Sequence, residues 1–209
     1  MADGKTYLDK VSQAYQKFNV AEQWNHLMQI AVGVSVEDKK ELLSEFPETP
    51  KSLLEILQSV DGTYYREYGD EEVTVYFFGS DVDNGEYPYY LCSAQQILEY
   101  KNAAENFADL FYYATEESNE DYGIYVDDRI LMDASKLKWL CFSDCMNNGG
   151  TSSLYVDFTP SDKGIKGQIV RYLHDPDELR VIANSFDEFL DMLINNNLAF
   201  IHDDDFYEI

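Results

Sequence analysis

The chain has 209 residues, with 40 Asp plus Glu against 15 Lys plus Arg, for a formal net charge of −25. Phosphate backbones and anionic bilayers are gripped by clustered Lys and Arg, so this balance argues against nucleic-acid and membrane partners and favours a basic protein partner, while also serving solubility. With 45% hydrophobic and 15% aromatic residues, including 17 Tyr and 12 Phe, an acidic disordered chain is excluded too. The length suits one domain with a core of its own.

Met1 to Lys5 has neither the basic nor the apolar region of a secretory signal, and no apolar run approaches a membrane span. Three cysteines, Cys92, Cys141 and Cys145, are an odd number, and two sit in an apolar segment. Reduced thiols in a cytoplasmic protein are the expectation.

The chain opens with helices. Leu8, Val11, Tyr15 and Phe18 recur at spacings of three and four, and Trp24, Leu27, Met28 and Ala31 repeat the pattern, marking two core-facing stripes. Ser35 with Asp38 forms a variant capping box for a charged helix to Phe46, stopped by Pro47 and Pro50. Lys51 to Ser59, with Leu53, Leu54, Ile56 and Leu57, predicts a short helix closed by Asp61-Gly62.

The period then shortens. Glu72 to Phe78 reads as one strand, with Val73, Val75 and Phe77 on one face and Thr74, Tyr76 and Phe78 on the other. A loop with acids and glycines leads to a short strand at Tyr89 to Cys92, and Ser93 with Gln96 caps a helix through Ile97, Leu98 and Tyr100. Phe107 to Tyr113 fits a strand or a continuing helix, Glu116 to Asp121 an acidic surface loop, and Gly123 to Met132 a strand, turn and strand. Leu137 to Ser143 predicts a buried strand around Trp139. Beyond Gly149-Gly150, strands at Ser153 to Thr159 and Gly167 to His174 flank a Pro-Ser-Asp-Lys-Gly turn. Leu154, Val156 and Phe158 would face one way, and Tyr155 and Asp157 the other. Ser185 with Glu188 opens a last helix whose Phe186, Phe189, Leu190, Leu193 and Ile194 share a face, and an acidic tail follows from His202. With no repeat or linker, the order predicts a single α+β domain of residues 1–209: a mainly antiparallel twisted sheet with helices packed on one side.

Motifs for chemistry are scarce. No glycine-rich loop precedes a Lys-Ser pair, no Gly-x-Ser-x-Gly elbow is present, and His26, His174 and His202 lie far apart and away from any second Cys pair. His174 reads as a surface hydrogen-bonding residue beside Asp175 and Asp177. Asp81-Val82-Asp83-Asn84-Gly85-Glu86 lacks EF-hand spacing. The expectation is a protein that is not an enzyme and takes no metal and no cofactor.

One long portion is more specific. Trp139-Leu140-Cys141-Phe142, Asn148-Gly149-Gly150, Leu154 to Pro160, Gly164 to Val170, and Val181 to Leu190 with Ser185-Phe186-Asp187-Glu188, in that order, resemble the SUKH superfamily of Smi/Knr type. Upstream, Phe46-Pro47, Leu53-Leu54, Leu57 and Asp61-Gly62 match the same pattern, so the resemblance spans about residues 35 to 195, leaving N-terminal helices and an acidic tail appended. Phe46 stands where Leu is usual, Asp61 where Asn is common, and Tyr112 to Leu137 is longer than the minimal pattern. Each motif also has a local rationale: Gly149 and Gly150 release the chain after the Trp139 strand, Asp157 ends a strand, Gly167 permits close backbone packing, and Ser185 caps the helix that Phe186 begins.

The resemblance implies a cytoplasmic immunity protein of a bacterial polymorphic toxin system that occludes the active site of a cognate toxin, a basic nuclease or similar, as a monomer in a one-to-one complex. A regulatory scaffold of the fungal Smi/Knr type is the alternative. The expected contacts are the loop acids Asp81, Asp83, Glu86, Glu116, Glu117, Glu120 and Asp121, with Tyr64, Tyr65, Tyr87 and Tyr89 as amphipathic anchors.

Overall fold

The change of sequence period after residue 60 is a change of architecture. The computed structural model describes residues 1–17, 21–81, 88–115, 123–145, 152–174 and 177–201. Four helices come first: α1 (Gly4–Lys17), α2 (Ala21–Ile30), α3 (Val36–Glu45) and α4 (Lys51–Leu57). A ribbon of β1 (Arg66–Tyr68) and β2 (Glu71–Val73) leads into β3 (Tyr76–Phe78), β4 (Tyr89–Leu91), α5 (Ala94–Glu99), a 3-10 turn at Ala103–Phe107, and α6 (Ala108–Ala114). Then follow β5 (Tyr125–Val126), a second 3-10 turn at Ala134–Lys136, β6 (Trp139–Cys145), β7 (Ser152–Asp157), β8 (Gln168–Leu173), β9 (Glu178–Ala183) and α7 (Phe186–Asn195). Among the described residues the main sheet runs β3-β4-β6-β7-β8-β9-β5, antiparallel except where β5 pairs parallel with β9. The fold is α+β, as its element order predicts.

The two faces of the sheet are unlike. Against the first lie α1, which buries Tyr7, Leu8, Val11 and Tyr15, α4, which buries Leu53, Ile56 and Leu57, and α7, which buries Phe186, Phe189, Leu190 and Leu193. Phe78 is the aromatic hub of this core, with ring centroids 5.6 Å from Tyr7, 5.5 Å from Phe142 and 5.7 Å from Phe189. The phenols of Tyr7 and Tyr15 donate to the Phe77 and Tyr76 carbonyls of β3, each at 2.7 Å, so the N-terminal helix is fastened to the end strand as well as packed on it. The second face carries a smaller cluster in which Phe107, Leu110 and Phe111, spaced three and four, cover Trp139, Tyr155, Val170, Leu179 and Val181.

All three predicted serine caps are present, one of them as a full capping box. Ser35 accepts from the Asp38 amide, Ser93 and Gln96 cap each other reciprocally, and Ser185 accepts from the Glu188 amide while Glu188 reaches back one residue further, to Asn184.

Four expectations change and one open choice, at Phe107 to Tyr113, is settled. The stretch Glu72 to Phe78 is two strands, because β2 pairs with β1 whereas β3 pairs with β4; a register shift in β3 sends Phe77 and Phe78 together into the helical core and leaves Tyr76 to the other face. Phe107 to Tyr113 is helical, and Gly123 to Met132 holds one two-residue strand, its remainder forming turns. Helices are thus packed on both faces, with α6 supplying a second, smaller layer. Gly167 needs its freedom for a φ of +89° that returns its amide to the Asp157 carbonyl at 2.7 Å; no atom crowds the place of a Cβ there, so close packing is not the reason. Close packing does apply to Gly62, where a Cβ would stand 2.8 Å from the Ser93 backbone.

Removing the Phe78 ring should cost about 3–5 kcal/mol in Phe78→Ala, whereas Ser185→Ala should cost about 1 kcal/mol through its lost cap. Denaturant titration of the two variants, read as midpoint shifts at constant slope, checks the order.

Candidate functional site

Cover of the second face is incomplete. Beneath α6 the face is closed by apolar contacts, but between the 3-10 turn and the strands β6, β7 and β8, and again beside β3 and β4, it opens into two cavities of about 430 and 510 Å³. The first is walled by Tyr64, Tyr100, Tyr155 and Tyr172, with Asp144 and Ser153 among its polar lining. The second holds Tyr65, Tyr76 and Tyr90 beside Val75 and His26 of the described residues. A ladder of rings joins them: Tyr64 stacks on Tyr90 at 5.3 Å, Tyr90 on Tyr76 at 5.0 Å, and Tyr65 meets Tyr64 edge-on at 5.2 Å. Tyr65 is 52% exposed and held at a φ of +44°, a conformation uncommon for a non-glycine residue. The Tyr64 carbonyl is held by Gln96 Nε2 at 2.9 Å, so the box that caps α5 also positions the ladder.

Asp144 reaches this face because β6 is bulged. Strand alternation from Trp139 and Cys141 would put Ser143 on the second face and Asp144 in the helical core. Instead Cys141 pairs with Tyr155 and Ser143 with Leu154, so one extra residue is taken up, Phe142 stays in the core, and Asp144 comes opposite Ser153 on the open face. Ser143 is fully buried and donates to the Tyr90 carbonyl at 2.6 Å, which ties the bulge to β4.

The electrostatics of the cavity are those of a shielded anion. Burial raises the Asp144 carboxyl above its ordinary range, and the Cys145 amide and the Ser153 hydroxyl offset this in part. Burial, then the charge of Asp144, pushes the Tyr64 phenol up; burial, Cys92 and Asp144 take Tyr100 to about 12; Tyr155 and Tyr172 are raised by burial first as well. The rings stay neutral at physiological pH and keep their hydroxyl protons. Elsewhere, Arg180 and Arg171 hold Glu178 below its usual value, while burial raises Asp157, which accepts from the Thr159 amide and from Gln168 Nε2, each at 2.8 Å. The Trp139 indole N–H lies near Asp157 and eases its charge without a hydrogen bond of normal geometry.

Of the residues expected from sequence to meet a partner, the structure brings Tyr64 and Tyr65 into the groove. Tyr89 is fully buried in the helical core, and its neighbour Tyr90 faces the groove instead, as strand alternation requires. Asp81 gives its carboxylate to Arg171, whose side chain is 1% exposed. Asp83, Glu86, Tyr87, Glu116, Glu117, Glu120, Asp121, Gly149 and Gly150 lie outside the described residues. Trp139, Asp157, Ser185 and Phe186 are structural: Trp139 and Phe186 fill the two cores, Asp157 is enclosed, and Ser185 is a cap. Sequence reasoning passed over Asp144, although an acid inside a buried strand is itself a signal. His174 pairs with Asp177 at 2.9 Å on the surface, and all three cysteines are buried free thiols. No cluster of potential metal ligands occurs among the described residues.

Because its folded-state carboxyl is raised, Asp144 is penalised only when ionised: the penalty is absent below about pH 4, grows as pH rises through the folded value, and is complete above it. Asp144→Asn should therefore raise the melting temperature at neutral pH by about 2–4 °C, and the gain should shrink as the pH is lowered. Thermal melts of both proteins across the pH range check the sign.

No curated protein matches the chain. A family model described as the SMI1 / KNR4 family (SUKH-1) matches residues 33–192, from just after α2 to within α7, and takes in all nine strands described above together with the bulge and the ring ladder. That match covers well over half of the sequence, and it agrees with the motifs, the sheet and the capped last helix, so the chain belongs to the SMI1 / KNR4 family (SUKH-1).

Proposed function

We propose that this protein is an immunity protein of a bacterial polymorphic toxin system, acting in the cytoplasm by binding its cognate toxin and occluding the toxin's active site, and not by catalysis. The observation that carries the reading is the tyrosine ladder left open on a sheet otherwise covered by helices. A row of rings running from exposed Tyr65 to buried Tyr90 offers large contact area with little conformational entropy to lose, which is what a tight interface needs at its centre. Family membership supports a protein partner, and the net charge of −25 supports a basic one, such as a nuclease whose substrate groove is lined with Lys and Arg. No described helix is long and apolar enough to cross a membrane.

The test is protection. Co-expression with the toxin domain encoded beside it should restore growth, and the two should co-purify in equal amounts. Tyr64→Ala with Tyr90→Ala, in a protein that still melts cooperatively, should abolish both. Unchanged rescue by that double variant, or no rescue by the parent, overturns the reading. If charge steers the encounter, association should slow roughly tenfold between about 0.05 and 0.5 M salt with little change in dissociation.

A further inference from the structure

Asp144 lacks the arginine that several other carboxylates of the fold hold. Asp61 is paired with Arg66, Asp81 with Arg171, Asp127 with Arg129, and Glu178 with both Arg171 and Arg180. Asp157 has no cation, but it is fully enclosed and both its oxygens accept from neutral donors. All fifteen Lys and Arg of the chain lie among the described residues, and none of their ion pairs involves Asp144. What the carboxylate has instead is one backbone amide, that of Cys145 at 2.7 Å, the Ser153 hydroxyl, and an open cavity in front of it.

We propose that this cavity receives one arginine side chain of the protein partner, its guanidinium seated against Asp144 between the tyrosine rings. The inference rests on the partner-binding reading above and names the chemistry at its centre. A cation is favoured because Asp144 is partly withdrawn from water and no cation of the chain pairs with it. The rings favour the same sign, since their faces are negative and Tyr64, Tyr100, Tyr155 and Tyr172 surround the opening. A guanidinium fits better than an ammonium: it is planar, stacks on aromatic faces, and carries five donors for the carboxylate, the Ser153 oxygen and the Asn106 amide that line the same space. At about 430 Å³ the cavity has room for the head group and its aliphatic stem. The receptor is also preorganised. Phe107 meets the Tyr172 ring edge-on at 4.9 Å and Tyr155 at 5.9 Å, Trp139 packs on Tyr155 at 5.2 Å, and Tyr172 donates to Asp177 at 2.8 Å, so the walls are held from behind.

The probe is N-acetyl-L-arginine methylamide, titrated into the purified full chain and followed by NMR of the tyrosine rings. Saturable shifts of Tyr64, Tyr100, Tyr155 and Tyr172 are expected, with a dissociation constant of about a millimolar. The isosteric citrulline methylamide should give none, and the lysine analogue should bind several-fold more weakly. Asp144→Asn should weaken arginine binding at least tenfold while melting no lower than the parent, and Tyr100→Leu, folded by the same criterion, should weaken it several-fold. Equal response to citrulline, undiminished binding by Asp144→Asn, or shifts confined to other rings overturns the proposal, and equal affinity for lysine overturns the choice of guanidinium. Since the probe involves no toxin, a silent cavity in a protein that still protects cells defeats this inference alone, whereas failed protection with an intact probe response defeats only the toxin reading.

Discussion

β6 lies in the interior of the sheet and has to face two ways: Leu140, Phe142 and Cys145 belong to the helical core, while Trp139, Cys141 and Asp144 belong to the opposite face. A regular strand of this sequence could not satisfy both, because strict alternation would carry Asp144 under α7 among phenylalanines. The extra residue at Phe142 and Ser143 resolves the conflict, and most of the molecule follows from it. Phe142 meets Phe186 and Phe189 at 5.1 and 5.7 Å, which seats α7; Ser143 ties β6 to β4; and Asp144 is delivered to the part of the second face that lies beyond α6.

The distribution of charge obeys a related constraint. All four arginines are bound to carboxylates within the chain, and Arg171, the most deeply buried, links Asp81 at the far end of β3 to Glu178 in β9. Arginine is thus used here as internal fastening, and the excess acid is left to the surface. An acidic exterior of this kind raises the local concentration of any basic protein without specifying where it docks.

Much of the scaffold was legible. Helical periodicity located α1, α2, α4 and α7, three cap signals marked the starts of α3, α5 and α7, and alternation placed Leu154 and Val156 opposite Tyr155. Of the motifs that resemble the SUKH pattern, those among the described residues are mostly cores, caps and turns, while Cys141 and Tyr155 also line the open cavity. The site was less legible because it depends on departures from periodicity. The shift in β3 that frees Tyr76 and the bulge in β6 that frees Asp144 leave no mark on composition, and reading alternation through them misplaces every later residue by one. Tyr64 and Tyr65, named from sequence, do line the open face, yet Tyr89 is named in place of Tyr90 because nothing in the sequence says which of two adjacent tyrosines a short strand turns inward.

The phenols of Tyr7 and Tyr15, fastened to the carbonyls of β3, have a consequence for assembly. Among the described residues β3 is an end strand of the sheet, and such an edge is where a second chain adds by main-chain pairing, whether a legitimate guest or another copy beginning a fibre. With α1 laid across it and two acceptors already taken, that route of β-augmentation is obstructed. An aromatic-rich chain thereby carries its own guard against growing edge to edge.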